Sequence, residues 1–304
     1  MKNLPLISVI TVNYNQSDAT CEMLESLYAS GYPNLEVFVV DNASSAADNA
    51  EKIKEKFPGV IFIQNKINLG FAGGNNIALK EANGNYIYLL NNDTVIPEGN
   101  PECLVTVLAD DPAIGVVCPK IKFYSDPDII QFAGYTEMSE YTFRNRSIGY
   151  AEPDNGQYDL RRETAFAHGA AMMLKREVIE KTGLMNEHYF LYYEELDWSR
   201  RIRSKGYRIV YIPDTYILHK EALSTGKNSS LQVYYMNRNR VLYVKCNTSG
   251  MQKIISIIYQ LLVVMPKNML KFLFRRHFKN MKAVFRAWWA SIRMPRSMCK
   301  YEYL

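Results

Sequence analysis

The chain has 304 residues, of which 48% are hydrophobic and 22% charged, and this composition suits one large globular domain, with or without an appendage, and excludes a disordered chain. Its five cysteines are widely scattered and form no CxxC pair, which argues against a disulfide framework and a zinc site and favours a reducing compartment. Residues 1–250 hold 25 Lys and Arg against 30 Asp and Glu, whereas residues 251–304 hold 11 against 1. The C-terminal tail is therefore a separate basic unit.

The first 120 residues alternate β-rich segments with segments of helical composition. The N-terminal segment lacks the apolar core and cleavage site of a secretory signal, so we predict it to be the first strand. Strands are predicted at 7–14, 35–40, 60–64, 86–90 and 114–119, and helices at 19–30, 47–57, 74–82 and 101–108. The strands are apolar throughout, as strands covered on both faces should be. This order predicts an α/β fold with an open, mostly parallel sheet and flanking helices.

The second half of the chain is less regular. Residues 120–170 are rich in Tyr, Arg and Gly, which indicates loops and short strands. From residue 171 a strand is predicted to run into a helix, and a further helix begins near Glu195 and leads to a strand at 208–212. No internal repeat and no low-complexity linker interrupts the pattern.

Three polar clusters directly follow predicted strands. They are DNAS at 41–44, NKINLGFAGGNN at 65–76 and NNDT at 91–94. Ligands of open parallel sheets bind beyond the carboxyl ends of the strands, so we expect all three clusters at one rim. No P-loop run is present and the glycine cluster is not GxGxxG, which leaves a divalent cation as the means of holding a nucleotide diphosphate. Such a cation takes oxygen ligands, and manganese also accepts a histidine nitrogen.

Five segments together resemble a known family. VITVNYN, VVDNAS, NLGFAGGNN, LLNNDT and YYEELDW occur in this order between about residues 5 and 245, as in the inverting glycosyltransferases of family 2 and especially the rhamnosyltransferase-like enzymes of bacterial cell-surface polysaccharide assembly. The resemblance implies a GT-A fold over residues 1–245, with a nucleotide-sugar half at 1–120 and an acceptor half at 121–245. It also implies transfer of a sugar from a nucleotide-diphosphate donor, such as dTDP-rhamnose or a UDP-sugar, to a glycan or lipid-linked acceptor.

The resemblance places a metal site for Mn²⁺ or Mg²⁺ after the strand at 86–90. The family's D-x-D signature falls on Asn91 and Asp93, so an amide replaces the first carboxylate and weaker metal binding is expected. His219 lies after the strand at 208–212, where some family members carry a metal-binding histidine. The alternatives are that Asp93 only ends a strand in a turn and that His219 is a packed or surface group.

Donor contacts are implied for residues near the same rim. The positions that match are Thr11, Asn13, Asp41, Asn68, Gly70, Gly74, Asn75 and Asn92. The carboxylate of Asp41 would accept hydrogen bonds from the nucleotide, and its alternative role is to cap the following helix. The glycines let backbone approach a ligand closely, although an ordinary glycine loop would look the same.

Transfer to a hydroxyl group requires a base, because an alcohol is a poor nucleophile until its proton is being removed. The family's E-D-x-D motif is matched by Glu194, Glu195 and Asp197, and its second acid, here Glu195, would be the base, with Asp197 as the alternate. Glu194, His168 and Trp198 are expected to contact the acceptor. The competing interpretation is that these acids merely stabilise a solvated helix N-terminus.

The tail at 246–304 is predicted to be helical, basic and amphipathic. Residues 265–294 mix Leu, Phe and Trp with Lys and Arg, which is typical of helices that lie on anionic membranes; a helix packed on the domain with a wet basic face is the alternative. The apolar run 254–265 stops at Pro266, short of the ~20 residues that a spanning helix needs. Nucleic acid also attracts basic charge, yet no recognition motif accompanies it. A peripheral enzyme on the cytoplasmic face of the cell membrane is therefore expected.

Two other functional classes remain open from the sequence. A nucleotidyltransferase shares an α/β nucleotide domain and a metal, but it releases pyrophosphate and needs no acceptor base. A non-catalytic, membrane-associated binder of nucleotide sugars needs neither Asp93 nor Glu195 as a carboxylate.

Overall fold

The computed structural model describes residues 4–220 and 229–304. The strands are β1 (Ile7–Asn13), β2 (Leu35–Asp41), β3 (Ile61–Gln64), β4 (Tyr86–Leu90), β5 (Thr94–Val95), β6 (Ile114–Phe123), β7 (Asp126–Phe132), β8 (Glu152–Pro153), β9 (Arg162–Glu163), β10 (Ala171–Lys175) and β11 (Arg208–His219). The helices are α1 (Ser17–Ala29), α2 (Glu51–Lys56), α3 (Gly70–Glu81), α4 (Asn100–Asp110), α5 (Arg176–Thr182), α6 (Glu194–Ser204), α7 (Ser230–Asn247), α8 (Gly250–Tyr259), α9 (Met265–Phe274) and α10 (Phe278–Arg293).

In the described residues the strands form one mixed sheet with the order β3-β2-β1-β4-β10-β6-β11-β5. The pairs β1–β2, β2–β3, β1–β4 and β6–β11 are parallel, and β10 lies antiparallel between β4 and β6. Helix α3 packs on β1 and β2, and α4 packs on β6 and β11. Most of β1 and β4 is buried, because helices and neighbouring strands cover these central strands. The predicted α/β class is confirmed.

Some predicted element boundaries differ from those in the structure. Strands β6 and β11 both run several residues past their predicted ends, because they pair with each other in parallel as far as Phe123 and His219. Helix α3 begins at Gly70 rather than at residue 74. The glycine cluster is therefore largely the first turns of a helix, not a loop.

The C-terminal helices pack partly on the sheet domain and partly face outward. Helix α10 packs against α7 and α9 and buries Ala283, Val284 and Ala287. The inner face of the tail is therefore packed on the protein, which was the alternative to a membrane-bound helix. The outer face exposes large apolar side chains, including Leu262, Phe274 and Trp289. The division into domains at residues 245 and 246 stays a prediction.

The helix does not end at Pro266, where the apolar run of the sequence stops. A helix runs without a break from Gly250 to Phe274, 25 residues with a mean hydropathy of 1.4, and is long and apolar enough to cross a membrane by length and composition. Its centre, Gln260–Val264, is a π-helical turn, and such wider turns let a helix continue past a proline, which lacks a backbone N–H. Length alone does not distinguish a spanning helix from one that lies on a surface.

One disulfide corrects the expectation drawn from the scattered cysteines. Cys246, at the end of α7, is bonded to Cys299 in the C-terminal segment. The two residues are 53 positions apart, and only the return of the chain past α10 brings them together. Their spacing carries no motif that sequence reasoning could have recognised.

Candidate active site

A cavity of about 410 Å³ lies at the rim where β1 and β4 end. Nine of the predicted site residues line it: Asn68, Gly70, Asn91, Asn92, Asp93, His168, Glu194, Glu195 and His219. They come from five separate stretches of sequence, so the fold brings the three predicted metal ligands and the predicted base to one space. We call this space the active-site cavity.

Asp93 and His219 meet because β5 pairs with the end of β11. In this antiparallel pair Thr94 is opposite His219, and the N–H of Lys220 donates to the carbonyl oxygen of Asp93. The turn itself is held by the Thr94 hydroxyl, which donates to the carbonyl oxygen of Asn91 over 2.7 Å. Polar side chains that end β4 are thereby placed beside the last residue of β11.

The Asp93–His219 contact brings together two side chains that can ligate a cation. Nε2 of His219 lies 3.1 Å from Oδ1 of Asp93, and Nδ1 lies 2.9 Å from Oε1 of Gln131. Because an amide oxygen only accepts, Nδ1 holds the proton and Nε2 presents a lone pair towards Asp93. Oδ1 of Asp93 is buried without a hydrogen-bond partner, so two atoms that can ligate a cation lie side by side in the cavity wall.

These residues fit a Mn²⁺ or Mg²⁺ ion with an incomplete protein ligand set. The side chain of Asn91 lies 3.5 Å from Nε2 of His219, where a flip of the amide would offer its oxygen as a third ligand. Within residues 4–220 and 229–304 no group of three or more His, Cys, Asp or Glu side chains is placed to hold a metal. Ions of this kind often complete their shell with water and substrate phosphates, so a partial protein set suits an ion held jointly with a diphosphate.

Glu194 and Glu195 begin α6 and also line the cavity. Burial raises the pKa of Glu195 to about 7, against the opposing effect of backbone N–H groups in the first turn. Burial, and then the charge of Glu195, raise the pKa of Glu194 well above its ordinary value, and its Oε2 atom is buried without a partner. A pKa near 7 lets Glu195 exchange a proton at neutral pH, which suits it to the role of a general base.

His168 and Tyr135 form an aromatic wall beside these acids. Their rings are parallel within 6° with centroids 5.8 Å apart, and Nδ1 of His168 accepts the N–H of Ala170. Burial lowers the pKa of His168 to about 3, so the ring stays neutral and holds its proton on Nε2. Burial and the charge of Glu195 raise the pKa of Tyr135, so its phenol also stays protonated and can donate.

Asp197 and Trp198 do not line the cavity, against the expectation for both. Asp197 is fully buried and accepts hydrogen bonds from the side chains of Tyr189, Arg201, Asn247 and Tyr301. The indole N–H of Trp198 donates to the carbonyl oxygen of Gly183. Both side chains anchor α6 from behind, so the structure places neither where an acceptor hydroxyl would lie.

Several predicted donor residues lie beneath the cavity wall. They are Thr11, Asn13, Asp41, Gly74 and Asn75, none of which lines the cavity. Asp41 is fully buried, and its carboxylate already accepts hydrogen bonds from Asn13, Ser44 and Gln64. A Cβ atom on Gly74 would lie 3.0 Å from a methyl group of Val12, so this glycine serves the packing of α3 on β1. Donor contacts by these five residues stay a prediction that requires local movement.

Sequence reasoning missed some residues that shape the site. Gln131 and Tyr135 come from the irregular region, where no periodic pattern marked them, and Asn42 adjoins the predicted Asp41. The amide of Asn42 donates to the carbonyl oxygen of Gly70 over 2.9 Å and accepts from the N–H of Leu69. Asn42 thereby fixes the start of α3 at the cavity edge. Its position in the polar cluster at 41–44, which directly follows a predicted strand, could have identified it from the sequence.

The architecture is shared with a solved glycosyltransferase structure. The mannosyltransferase PcManGT from Pyrobaculum calidifontis, in complex with GDP-Man and Mn²⁺, superposes with a TM-score of 0.59 over 97% of this chain and 77% of that chain, at 18% identity. At this identity the likeness shows the fold alone. The fold is therefore of the GT-A type, with a mostly parallel sheet and flanking helices.

The sequence narrows this class to one family. The model of the family described as Glycosyl transferase family 2 matches residues 8–183, more than half of the chain. The protein belongs to glycosyltransferase family 2 and is an enzyme, and the resemblance noted from its five motifs is confirmed.

Relatives with assigned names support the same class. The low-salt glycan biosynthesis hexosyltransferase Agl10 of Haloferax volcanii is 28% identical over 243 residues, which are 78% of this chain and 74% of that protein. The N-acetylglucosaminyl-diphospho-decaprenol L-rhamnosyltransferase of Mycobacterium tuberculosis is 20% identical over 81% of this chain and 86% of that protein. Two further relatives are much longer, and the chain spans 28% and 18% of their lengths.

Proposed function

We propose that this enzyme transfers a sugar from a nucleotide-diphosphate donor to a hydroxyl group of a glycan or lipid-linked acceptor in cell-surface polysaccharide biosynthesis, with inversion at the anomeric carbon. The observation that carries the proposal is that the Asp93–His219 pair and Glu195 line one cavity. The names of the hexosyltransferase and rhamnosyltransferase relatives support it. A dTDP-linked rhamnose and UDP-sugars are the donors to test first.

In the proposed reaction one group of residues acts on the acceptor hydroxyl and another on the leaving diphosphate. Glu195 takes the proton of the acceptor hydroxyl as its oxygen attacks the anomeric carbon, and the bond from that carbon to the diphosphate oxygen breaks. The diphosphate leaves with the bonding electron pair, and a single displacement inverts the centre without a covalent intermediate. Asp93 and His219, with Asn91, would hold a Mn²⁺ or Mg²⁺ ion, which when bound offsets the charge of the leaving group.

The test is release of nucleoside diphosphate from a panel of nucleotide sugars in the presence of Mn²⁺, with and without glycan acceptors. We expect turnover of at least one donor, and Asp93→Ala and Glu195→Gln should each lower the rate about 100-fold or more. Asp128→Ala and Glu180→Gln, which change exposed carboxylates, serve as matched controls and should retain the wild-type rate.

Other results would replace the proposal. Full activity of both site variants would remove the assigned roles of Asp93 and Glu195. Release of pyrophosphate from a nucleoside triphosphate and a sugar phosphate would indicate a nucleotidyltransferase, and binding of nucleotide sugars without turnover would indicate a binding protein.

We further propose that the tail holds the enzyme on the cytoplasmic face of an anionic membrane. The outer faces of α8 to α10 expose apolar side chains, among them Ile254, Leu262, Phe274, Phe278 and Trp289, next to the basic residues of a segment with 11 Lys and Arg against 1 acidic residue. Such a surface pairs apolar insertion with attraction to anionic headgroups.

Sedimentation with vesicles tests this membrane association. The protein should sediment with vesicles that contain phosphatidylglycerol and much less with phosphatidylcholine vesicles, and raised salt should weaken the binding. Leu262→Glu with Phe274→Glu should abolish it, whereas Leu160→Glu, on an exposed loop far along the chain from the tail, should not. Binding unaffected by lipid charge and by the tail variants would contradict the proposal.

A further inference from the structure

Residues 188–193 lead directly into the first turn of α6, and we call them the base-approach segment. Three of these residues have an energetically unfavourable backbone conformation. Phe190, Tyr192 and Tyr193 have φ angles of 66°, 68° and 79°, in the left-handed region that bulky residues rarely adopt. Such a backbone persists only where surrounding groups hold it. The segment ends directly before Glu194 and Glu195.

A single asparagine on α7 holds three carbonyl groups of this segment. Nδ2 of Asn239 lies 2.8 Å from the carbonyl oxygens of Tyr189, Leu191 and Tyr192. The side chain is fully buried, and an amide nitrogen carries only two hydrogens, so the three acceptors share them. Oδ1 of Asn239 accepts from Nη1 of Arg238 over 2.7 Å, which fixes the amide with its nitrogen towards the segment.

The remaining carbonyl groups of the segment are held from two other sides. Nη1 of Arg238 donates to the carbonyl oxygen of His188, and the N–H of Phe71, in the first turn of α3, donates to that of Phe190 over 2.7 Å. A Cβ atom on Gly70 would lie 2.1 Å from the same Phe190 oxygen, so only glycine permits this approach. Each carbonyl group from residue 188 to residue 192 therefore has a partner.

These contacts link the two sides of the active-site cavity. The start of α3 belongs to the donor side, where Gly70 lines the cavity, while Glu195 belongs to the acceptor side. Phe190, Leu191 and Tyr192 line the space between them. A shift of the segment would move the base relative to the donor, and displacements of about 1 Å can cost about 100-fold in rate.

We propose that Asn239 is a positioning residue, whose buried amide holds the base-approach segment and so sets Glu195 against the donor. The inference rests on the proposed function, because it assigns Glu195 as the base. Asn239 does not line the cavity, so it acts through the segment and not by contact with substrate.

Asn239→Asp is the sharpest test, because a carboxylate has nearly the same shape but no hydrogen to donate. The matched control is Asn237→Asp, on the same helix, where the amide is also buried and, among the described residues, hydrogen-bonds to Val233 and Asn268. We expect Asn239→Asp to lower kcat about 100-fold with the donor KM within twofold of wild type. Asn237→Asp should change neither constant more than twofold.

Two further readouts separate positioning from general destabilisation. Amide hydrogen exchange in residues 188–193 should become faster in Asn239→Asp and stay unchanged in Asn237→Asp. Asn239→Ala removes the same donor and adds no charge, so its loss of kcat should match that of Asn239→Asp. In Asn239→Ala the acid limb of the kcat profile should shift to lower pH, because a loosened segment admits water to Glu195.

The outcomes distinguish this inference from the proposed function. Wild-type protein that releases no nucleotide from any donor would overturn the proposed function and the inference with it. Active wild-type protein with an Asn239→Asp kcat within twofold of Asn237→Asp would overturn the inference alone. Equal losses of kcat in both variants would also overturn it, since they would show a general effect of a buried charge in α7.

Discussion

Glu194 and Glu195 are neighbours in sequence, yet their surroundings differ, and so do the groups that shift their pKa values. Glu194 is almost completely buried and has an unpartnered oxygen, so it holds its proton more tightly than an ordinary carboxyl group. Glu195 lines the cavity, and backbone N–H groups partly offset the effect of its burial. The balance between burial and these N–H groups holds the pKa of Glu195 in a range useful for proton transfer.

The pH dependence of the proposed reaction follows from the role proposed for Glu195. The base must be deprotonated, so kcat should fall as pH decreases through about 7, the raised pKa of this residue. Initial rates between pH 5 and 9 test this, and the residual rate of Glu195→Gln should have no limb in that range. An acid limb near the ordinary glutamate pKa would contradict the assignment.

Gln131 should tune metal affinity without binding the metal. Its oxygen fixes the proton of His219 on Nδ1, and loss of such a partner typically weakens metal binding about 10- to 100-fold. Titration of Gln131→Leu with Mn²⁺, followed by the paramagnetic resonance of the free ion, measures this loss. Gln157→Leu, at an exposed position, should bind like wild type, and equal affinity of the two variants would remove the role of Gln131.

At the scale of elements, α6 depends on an anchor behind the active site. Asp197 receives four side-chain donors, from the aromatic run before α6, from α6 itself, from α7 and from the C-terminal segment. Its partner Arg201 lies one turn along the same helix. The acid that the motif suggested as an alternate base thus joins four parts of the chain.

Asp197→Ala should destabilise the fold strongly, because it leaves a buried guanidinium and three other donors without their acceptor. We expect a loss of about 3–5 kcal/mol in the free energy of unfolding, measured by urea titration. Asp214→Ala removes an exposed ion pair with Arg161 and should cost about 0–1 kcal/mol. Losses of similar size in both variants would contradict the anchor role.

The sequence was sufficient to predict the site residues that directly follow buried strands. Buried strands are recognisable by composition, and a parallel sheet collects their polar ends at one rim, so Asn91, Asp93 and Asn68 were found. His219 was predicted only from the family resemblance. Its position beside Asp93 depends on the pairing of β5 with the end of β11, and these two strands are far apart in sequence. Gln131 and Asn239 were missed because neither motif nor periodicity marks a residue that acts through tertiary contacts. For Gly74 the structure shows a packing role against Val12, and its predicted donor contact stays a prediction, because packing and ligand approach both select glycine.

At the scale of the whole molecule, the C-terminal segment returns to the catalytic domain after the helical tail. The N–H of Leu184 donates to the carbonyl oxygen of Glu302 over 2.7 Å, and the guanidinium of Arg201 lies 4.1 Å from the ring centre of Tyr301. The tail is thus fastened at both ends, by α7 and by this segment. The Cys246–Cys299 bond closes the same junction.

Reduction of this bond should lower stability without removing the fold of the sheet. Closing a loop of this length typically stabilises a protein by about 2–4 kcal/mol, so dithiothreitol should shift the urea midpoint of the wild type downward. The double variant Cys246→Ser with Cys299→Ser should start at the lower midpoint and not respond to dithiothreitol. A wild-type midpoint insensitive to reductant would show that the pair does not stabilise the chain, as expected for thiols kept reduced in a cytoplasm.

The closed junction also has a topological consequence. Helices α8, α9 and α10 all lie within a covalent ring that begins at Cys246 and ends at Cys299. A protease that cuts one peptide bond anywhere in that ring opens it but releases nothing, so both pieces migrate as one band on a gel until a reductant separates them. The surface proposed to touch lipid can therefore be nicked and still remain attached to the catalyst.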